Sequence, residues 1–100
     1  MNNQIEIRKI AYHYGFLNQL LKTKEELLEL IEVVDEIYSS TGNIKNDVIT
    51  HLAEEISDVR IMTDQLEILF NLSSKCSDMR NFKINRQLER IKNELANKQN

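Results

Sequence analysis

The chain has 100 residues, 41% hydrophobic and 29% charged, with a formal net charge of −3. That is the size of one domain with a modest core, and the balance of a globular rather than a disordered protein. No proline and only two glycines leave an all-β fold without its turn residues, and the acidic balance argues against general binding of nucleic-acid polymers.

Residues 3–13 read as a short helix, with Ile5, Ile7, Ile10 and Ala11 apolar. Tyr12-His13-Tyr14-Gly15 ends it, with Gly15 as a left-handed cap. A second helix runs from Phe16 to Tyr38 and stops at the loop Ser39-Ser40-Thr41-Gly42-Asn43. A third spans Asn46 to Asn71, capped by Asn46 or Asp47. Leu72-Ser73-Ser74 breaks the pattern. A fourth helix begins at Cys76 or Ser77 and continues to Ala96, before a polar, frayed tail at 97–100. The expectation is one all-α domain over 1–100, a four-helix bundle completed by homo-oligomerisation.

The middle helices carry more apolar surface than one neighbour each can cover. Leu17, Leu20, Leu27, Leu28, Ile31 and Val34 belong to an apolar set covering over half of helix two, and Ile61, Ile68 and Leu72 form a second stripe on helix three. A homodimer or homotetramer is therefore expected. Lone Cys76 fits a reducing cytosol and reads as structural. No apolar run approaches the ~20 residues of a membrane span, and Met1-Asn2-Asn3-Gln4 carries no signal-peptide pattern. A cytoplasmic protein without a membrane partner is the reading.

Two carboxylate pairs carry the chemistry. Glu26 and Glu29 lie three residues apart on helix two, Glu55 and Asp58 three apart on helix three, so each pair shares a helical face. Glu55 falls inside the stripe of Val48, Leu52, Val59, Met62 and Leu66. Glu26 falls between Leu30, Val33 and Ile37. Glu25 and Glu54 point away from the apolar arcs. Charge on a helix is usually solvated, and Glu-x-x-Glu spacing often occurs by chance. Two inward pairs on neighbouring helices are different: packed antiparallel, they converge into four carboxylates that cannot all ionise side by side without a cation. Oxygen-only ligands suit Mg2+, with Mn2+ as a substitute, and nothing here suggests zinc. Gln19, seven residues before Glu26, and Gln65, seven after Asp58, extend the same faces and can orient a ligand. His51 lies one turn before Glu55. Tyr12, Tyr14 and Phe16 suit packing at the helix junction, or stacking on a base.

These residues resemble the MazG-like superfamily of all-α nucleoside triphosphate pyrophosphohydrolases, especially its small phage-type single-domain members. The resemblance runs from Ile7 to Glu94. It is carried by Tyr14-Gly15 with Gln19-Leu20, by Glu25-Glu26-x-x-Glu29-Leu30, by Glu54-Glu55-x-x-Asp58-Val59, by Met62 with Gln65-Leu66, and by the basic stretch Lys83 to Ile91. It implies hydrolysis between the α and β phosphates of a nucleotide, releasing monophosphate and pyrophosphate. The implied metal ligands are Glu26, Glu29, Glu55 and Asp58. Lys83 and Arg86, with Arg90 beyond, are the implied phosphate contacts, and Gln65 stands where many relatives carry Asn. The contrasting reading is a non-enzymatic helical oligomerisation or regulatory interaction module, which explains the apolar faces and needs no metal.

Overall fold

Four helices and no strand make up the described residues of the structure, a computed structural model that covers 3–40 and 42–99. Thr41 of the expected loop, Asn100 of the expected tail, and Met1 and Asn2 of the start lie outside them. The helices are α1 (Gln4–Tyr14), α2 (Phe16–Tyr38), α3 (Asn46–Leu69) and α4 (Ser73–Gln99).

One residue joins α1 to α2. Gly15 donates its N–H to the Ala11 carbonyl at 2.9 Å and accepts the Gln19 N–H at 3.1 Å, so it ends one helix and starts the next. Its φ of 83° and ψ of 166° are not the left-handed helical cap expected. They belong to the mirror-extended region that essentially only glycine enters. The start of α3 also differs. Asn46 and Asp47 are its first two helical residues, and the cap position falls to Lys45, which makes no side-chain cap bond. Asp47 instead accepts the Val48 N–H at 2.9 Å and places negative charge at the positive end of the helix.

α3 closes with the paired bonds of a Schellman turn. The Leu72 N–H reaches the Glu67 carbonyl at 2.8 Å and the Asn71 N–H the Ile68 carbonyl at 3.2 Å. Asn71 supplies the positive φ, 54°, which asparagine tolerates better than other side chains. The break is confined to this turn, so α4 begins at Ser73, earlier than Cys76, with the Cys76 N–H already on the Leu72 carbonyl at 2.8 Å. It then runs through Ala96 to Gln99.

α2 and α3 form an antiparallel hairpin, and α1 lies across both, chiefly on α3. The expected four-helix bundle is not completed within the chain. α4 touches α3 alone, and none of its described residues is buried. The Asn71 turn sends it outward, and its Ile84, Leu88, Ile91 and Leu95 form one narrow seam with no partner helix. The molecule is accordingly extended, 56 × 36 × 25 Å with a radius of gyration of 17.7 Å, against about 13 Å for a compact chain of this length.

The interior is mixed. Ile7, Ala11, Val33 and Met62 are buried, but so are Gln19, Thr23, Glu26, Glu55 and Gln65. Polar groups go inside only when something satisfies them, so the centre of the hairpin is where chemistry is to be sought. Among the described residues no helix is long and apolar enough to cross a membrane.

Candidate metal centre

Helical periodicity turns Glu26 and Glu55 inward from facing positions on α2 and α3. Both are 7% exposed. The antiparallel hairpin brings Glu29 and Asp58 beside them, and one carboxylate oxygen from each of the four lies within 4.8 Å of the others. The four ligand candidates read from the sequence thus form a single cluster. Glu25 and Glu54, on the same segments, remain exposed.

The two helices repeat one device. Lys22 holds Oε1 of Glu26 at 3.1 Å, and His51 Nε2 lies 3.3 Å from Oε1 of Glu55. In each case the base sits four residues before a buried glutamate and a second acid follows three residues after it. The remaining oxygens, Oε2 of Glu26 and Oε2 of Glu55, are buried and have no hydrogen-bond partner. A buried acceptor without a donor costs about 1–3 kcal/mol, more when charged. Glu26 and Glu55, within 4.8 Å, repel further by about 3 kcal/mol at an effective dielectric of 20. A hard divalent cation relieves both costs, and its chemistry matches an all-carboxylate donor set. The residues therefore fit such an ion. Lys22 was missed in the sequence, although its i,i+4 spacing to Glu26 is the same signal that singled out His51 beside Glu55.

The cluster perturbs its outer members. The charge of Glu26 beside Glu29 lifts the Glu29 carboxyl above its ordinary value, and the charge of Glu55 adds to it. Asp58 is lifted too, first by burial and then by the charges of Glu26 and Glu55. Lys22 is raised by its hydrogen bond and charge pairing with Glu26. These shifts set a pH dependence. The ordinary values are 4.5 for Glu29 and 3.8 for Asp58; the folded values lie above them. Each acid therefore contributes stability that is fully present below its unfolded value and lost as pH rises through its folded value. In chelator at neutral pH, Glu29→Gln/Asp58→Asn should melt higher than wild type. The gap should close as pH falls below 3.8. A wild type that equals or exceeds the variant at neutral pH would show that the acids do not oppose one another.

The other expected site residues divide. Gln19 and Gln65 are brought together, but against each other: Nε2 of Gln19 donates to Oε1 of Gln65 at 2.7 Å across the hairpin. Gln65 is 1% exposed, and its own Nε2 meets only the Met62 sulfur at 3.6 Å. Thr23 donates back to the Gln19 carbonyl at 2.6 Å. The amide pair fixes the register of α2 on α3, one face of a cleft of about 470 Å³ that also includes Ile10, Tyr14, Asn18 and Lys22. Lys22 thus borders both cleft and acids. Lys83 and Arg86 stand apart on α4, which does not approach α2; the Arg86 guanidinium lies 5.6 Å over the Phe82 ring. Phe16 packs edge-on against Phe70 at 5.9 Å and Tyr14 against His13 at 4.7 Å, while Tyr12, Tyr14 and Phe16 are all exposed. Cys76 is free and exposed.

Comparison with known protein families, with curated proteins and with solved structures finds no match to this chain. The functional reading therefore rests on the site itself.

Proposed function

We propose that the chain is a magnesium-dependent nucleoside triphosphate pyrophosphohydrolase of the MazG-like type, cleaving a nucleotide between its α and β phosphates. One observation supports this most: two buried glutamate oxygens without donors, inside a four-carboxylate cluster on an antiparallel helix pair. Glu26, Glu29, Glu55 and Asp58 hold the ion. When bound, magnesium supplies charge neutralisation for phosphate oxygens and Lewis acidity.

The protein's own groups do the rest. Glu29 is the better placed general base. It faces solvent, and one oxygen of Glu26 is already committed to Lys22. A carboxylate oxygen of Glu29 takes a proton from water as the water oxygen bonds to the α phosphorus. The bond from that phosphorus to the bridging oxygen breaks, and pyrophosphate leaves with its electron pair. Lys22, at the border of cleft and cluster, offers an ammonium to the phosphates. Gln19 and Gln65 position the helices through their mutual hydrogen bond and line the cleft beside Lys22. Lys83 and Arg86 reach the phosphates only if α4 of another copy delivers them, so the reading requires a homo-oligomer.

The test is pyrophosphate release from a panel of ribo- and deoxyribonucleoside triphosphates, with magnesium and with chelator. Release should require the metal and fall by about a thousandfold or more in Glu55→Gln/Asp58→Asn, since removing charge-stabilising groups costs factors of that order. Activity that survives the double substitution removes the assigned site. The competing reading, a helical interaction module, draws on the exposed apolar faces. It expects Glu26→Leu or Glu55→Leu to be neutral or stabilising even in saturating magnesium.

A further inference from the structure

α2 is inverted relative to a helix that serves one chain alone. Its buried residues are Gln19, Thr23, Glu26 and Val33, three of the four polar. Most of its aliphatic residues face out: Leu20, Leu21, Leu27, Leu28, Ile31 and Val34 are 42–61% exposed. At ~100° per residue they fall in one arc of about 140°, on the side away from Glu26. An amphipathic helix turns such an arc toward whatever it packs on.

The surface area shows that much is left to cover. A compact monomer of 11.8 kDa exposes about 5,900 Å². This chain exposes 8419 Å², an excess of about 2,500 Å², whereas a standard interface takes about 800 Å² from each partner. Projecting α4 accounts for part of the surplus and the α2 arc for another part.

The arc also indicates what covers it. Two charged residues interrupt it, Lys24 and Asp35, of opposite sign. Both are exposed, and neither has an ion-pair partner among the described residues. When two α2 helices cross antiparallel about a two-fold axis between positions 29 and 30, Lys24 of each copy faces Asp35 of the other, and Leu28 faces Ile31. The face is complementary to itself in charge. Its balanced charge gives no attraction to an anionic membrane or to a partner of one sign. We propose that the leucine face of α2 is the interface between two copies of this chain, packed antiparallel about that axis. The proposal depends on no part of the enzymatic reading, because the carboxylates lie on another side of α2 and mass, not turnover, is what tests it.

Sedimentation equilibrium of the full chain at micromolar concentrations should give twice the 11.8 kDa chain mass, or a higher even multiple. Leu28→Glu/Ile31→Glu should sediment as one chain with its helical circular dichroism retained. Because symmetry makes each contact twice, Lys24→Glu alone or Asp35→Lys alone should weaken self-association by roughly tenfold. Lys24→Glu/Asp35→Lys restores both pairs with their signs exchanged and should return the affinity to within about threefold of wild type. If the leucine variant unfolds, the charge series still decides. A wild type that stays monomeric, with or without binding to lipid vesicles, overturns the proposal. So does a double reversal as weak as either single one.

Discussion

In magnesium at one hundred times its dissociation constant, the wild-type melting temperature should rise by about 10–20 °C, and in Glu26→Gln/Glu55→Gln it should not rise at all. The size follows from linkage: an ion that binds only the folded chain adds about 2.7 kcal/mol at that concentration, and a domain of this length shifts by about 4–8 °C per kcal/mol. The two glutamates are chosen because their Oε2 atoms are the buried acceptors without donors. Glutamine keeps the shape and one carbonyl oxygen but removes the charge that draws a divalent cation. In chelator the same variant should be at least as stable as wild type, because it relieves repulsion inside the hairpin. That reversal of order between chelator and magnesium is the signature to measure by differential scanning calorimetry. Equal rises in both proteins, or none in wild type with either magnesium or manganese, would leave the cluster without an ion.

Gln65→Ala should destabilise the chain by about 2–4 kcal/mol, through a cavity and through the stranded Nε2 of Gln19. Against a typical stability of about 5–15 kcal/mol, that is a severe loss for one polar residue. Urea titration would show it as a lower midpoint at unchanged slope. Gln19→Leu/Gln65→Leu replaces both partners by apolar groups of similar size and should lie within about 1 kcal/mol of wild type. The contrast separates two roles. A helix-positioning pair is replaceable by packing, whereas a substrate-binding pair is not, so the leucine double variant should also retain pyrophosphate release in magnesium if the pair only positions the helices. A Gln65→Ala midpoint equal to that of wild type would dissolve the amide clasp as a structural element.

Helix content and the two inward acid pairs were legible because both depend on local periodicity. Glu55 within the Val48–Leu66 stripe and Glu26 beside Val33 could be placed from spacing alone, and both are buried. Lys22 was legible in principle at i,i+4 from Glu26, but a lysine among helical charges is indistinguishable from solvated surface until its neighbour is known to be buried. The hydrogen bond between Gln19 and Gln65 was not legible. Each shares a face with the acids, and only the crossing of α2 on α3 shows that each amide is used by the other. The position of α4 was not legible for a related reason. The direction in which it leaves α3 is set at the Asn71 turn, and helical periodicity does not carry it.

The order of residues alone determined an all-α chain with its acids and leucines on separate helical faces, since a side chain's angular position on a helix follows from its number. Which atoms meet was decided only by tertiary structure. The convergence of four carboxylates within 4.8 Å, the clasp between two glutamines and the outward swing of α4 are set by how whole helices cross and by one backbone turn. Those are relations between segments far apart in the chain, and helical periodicity carries no information about them.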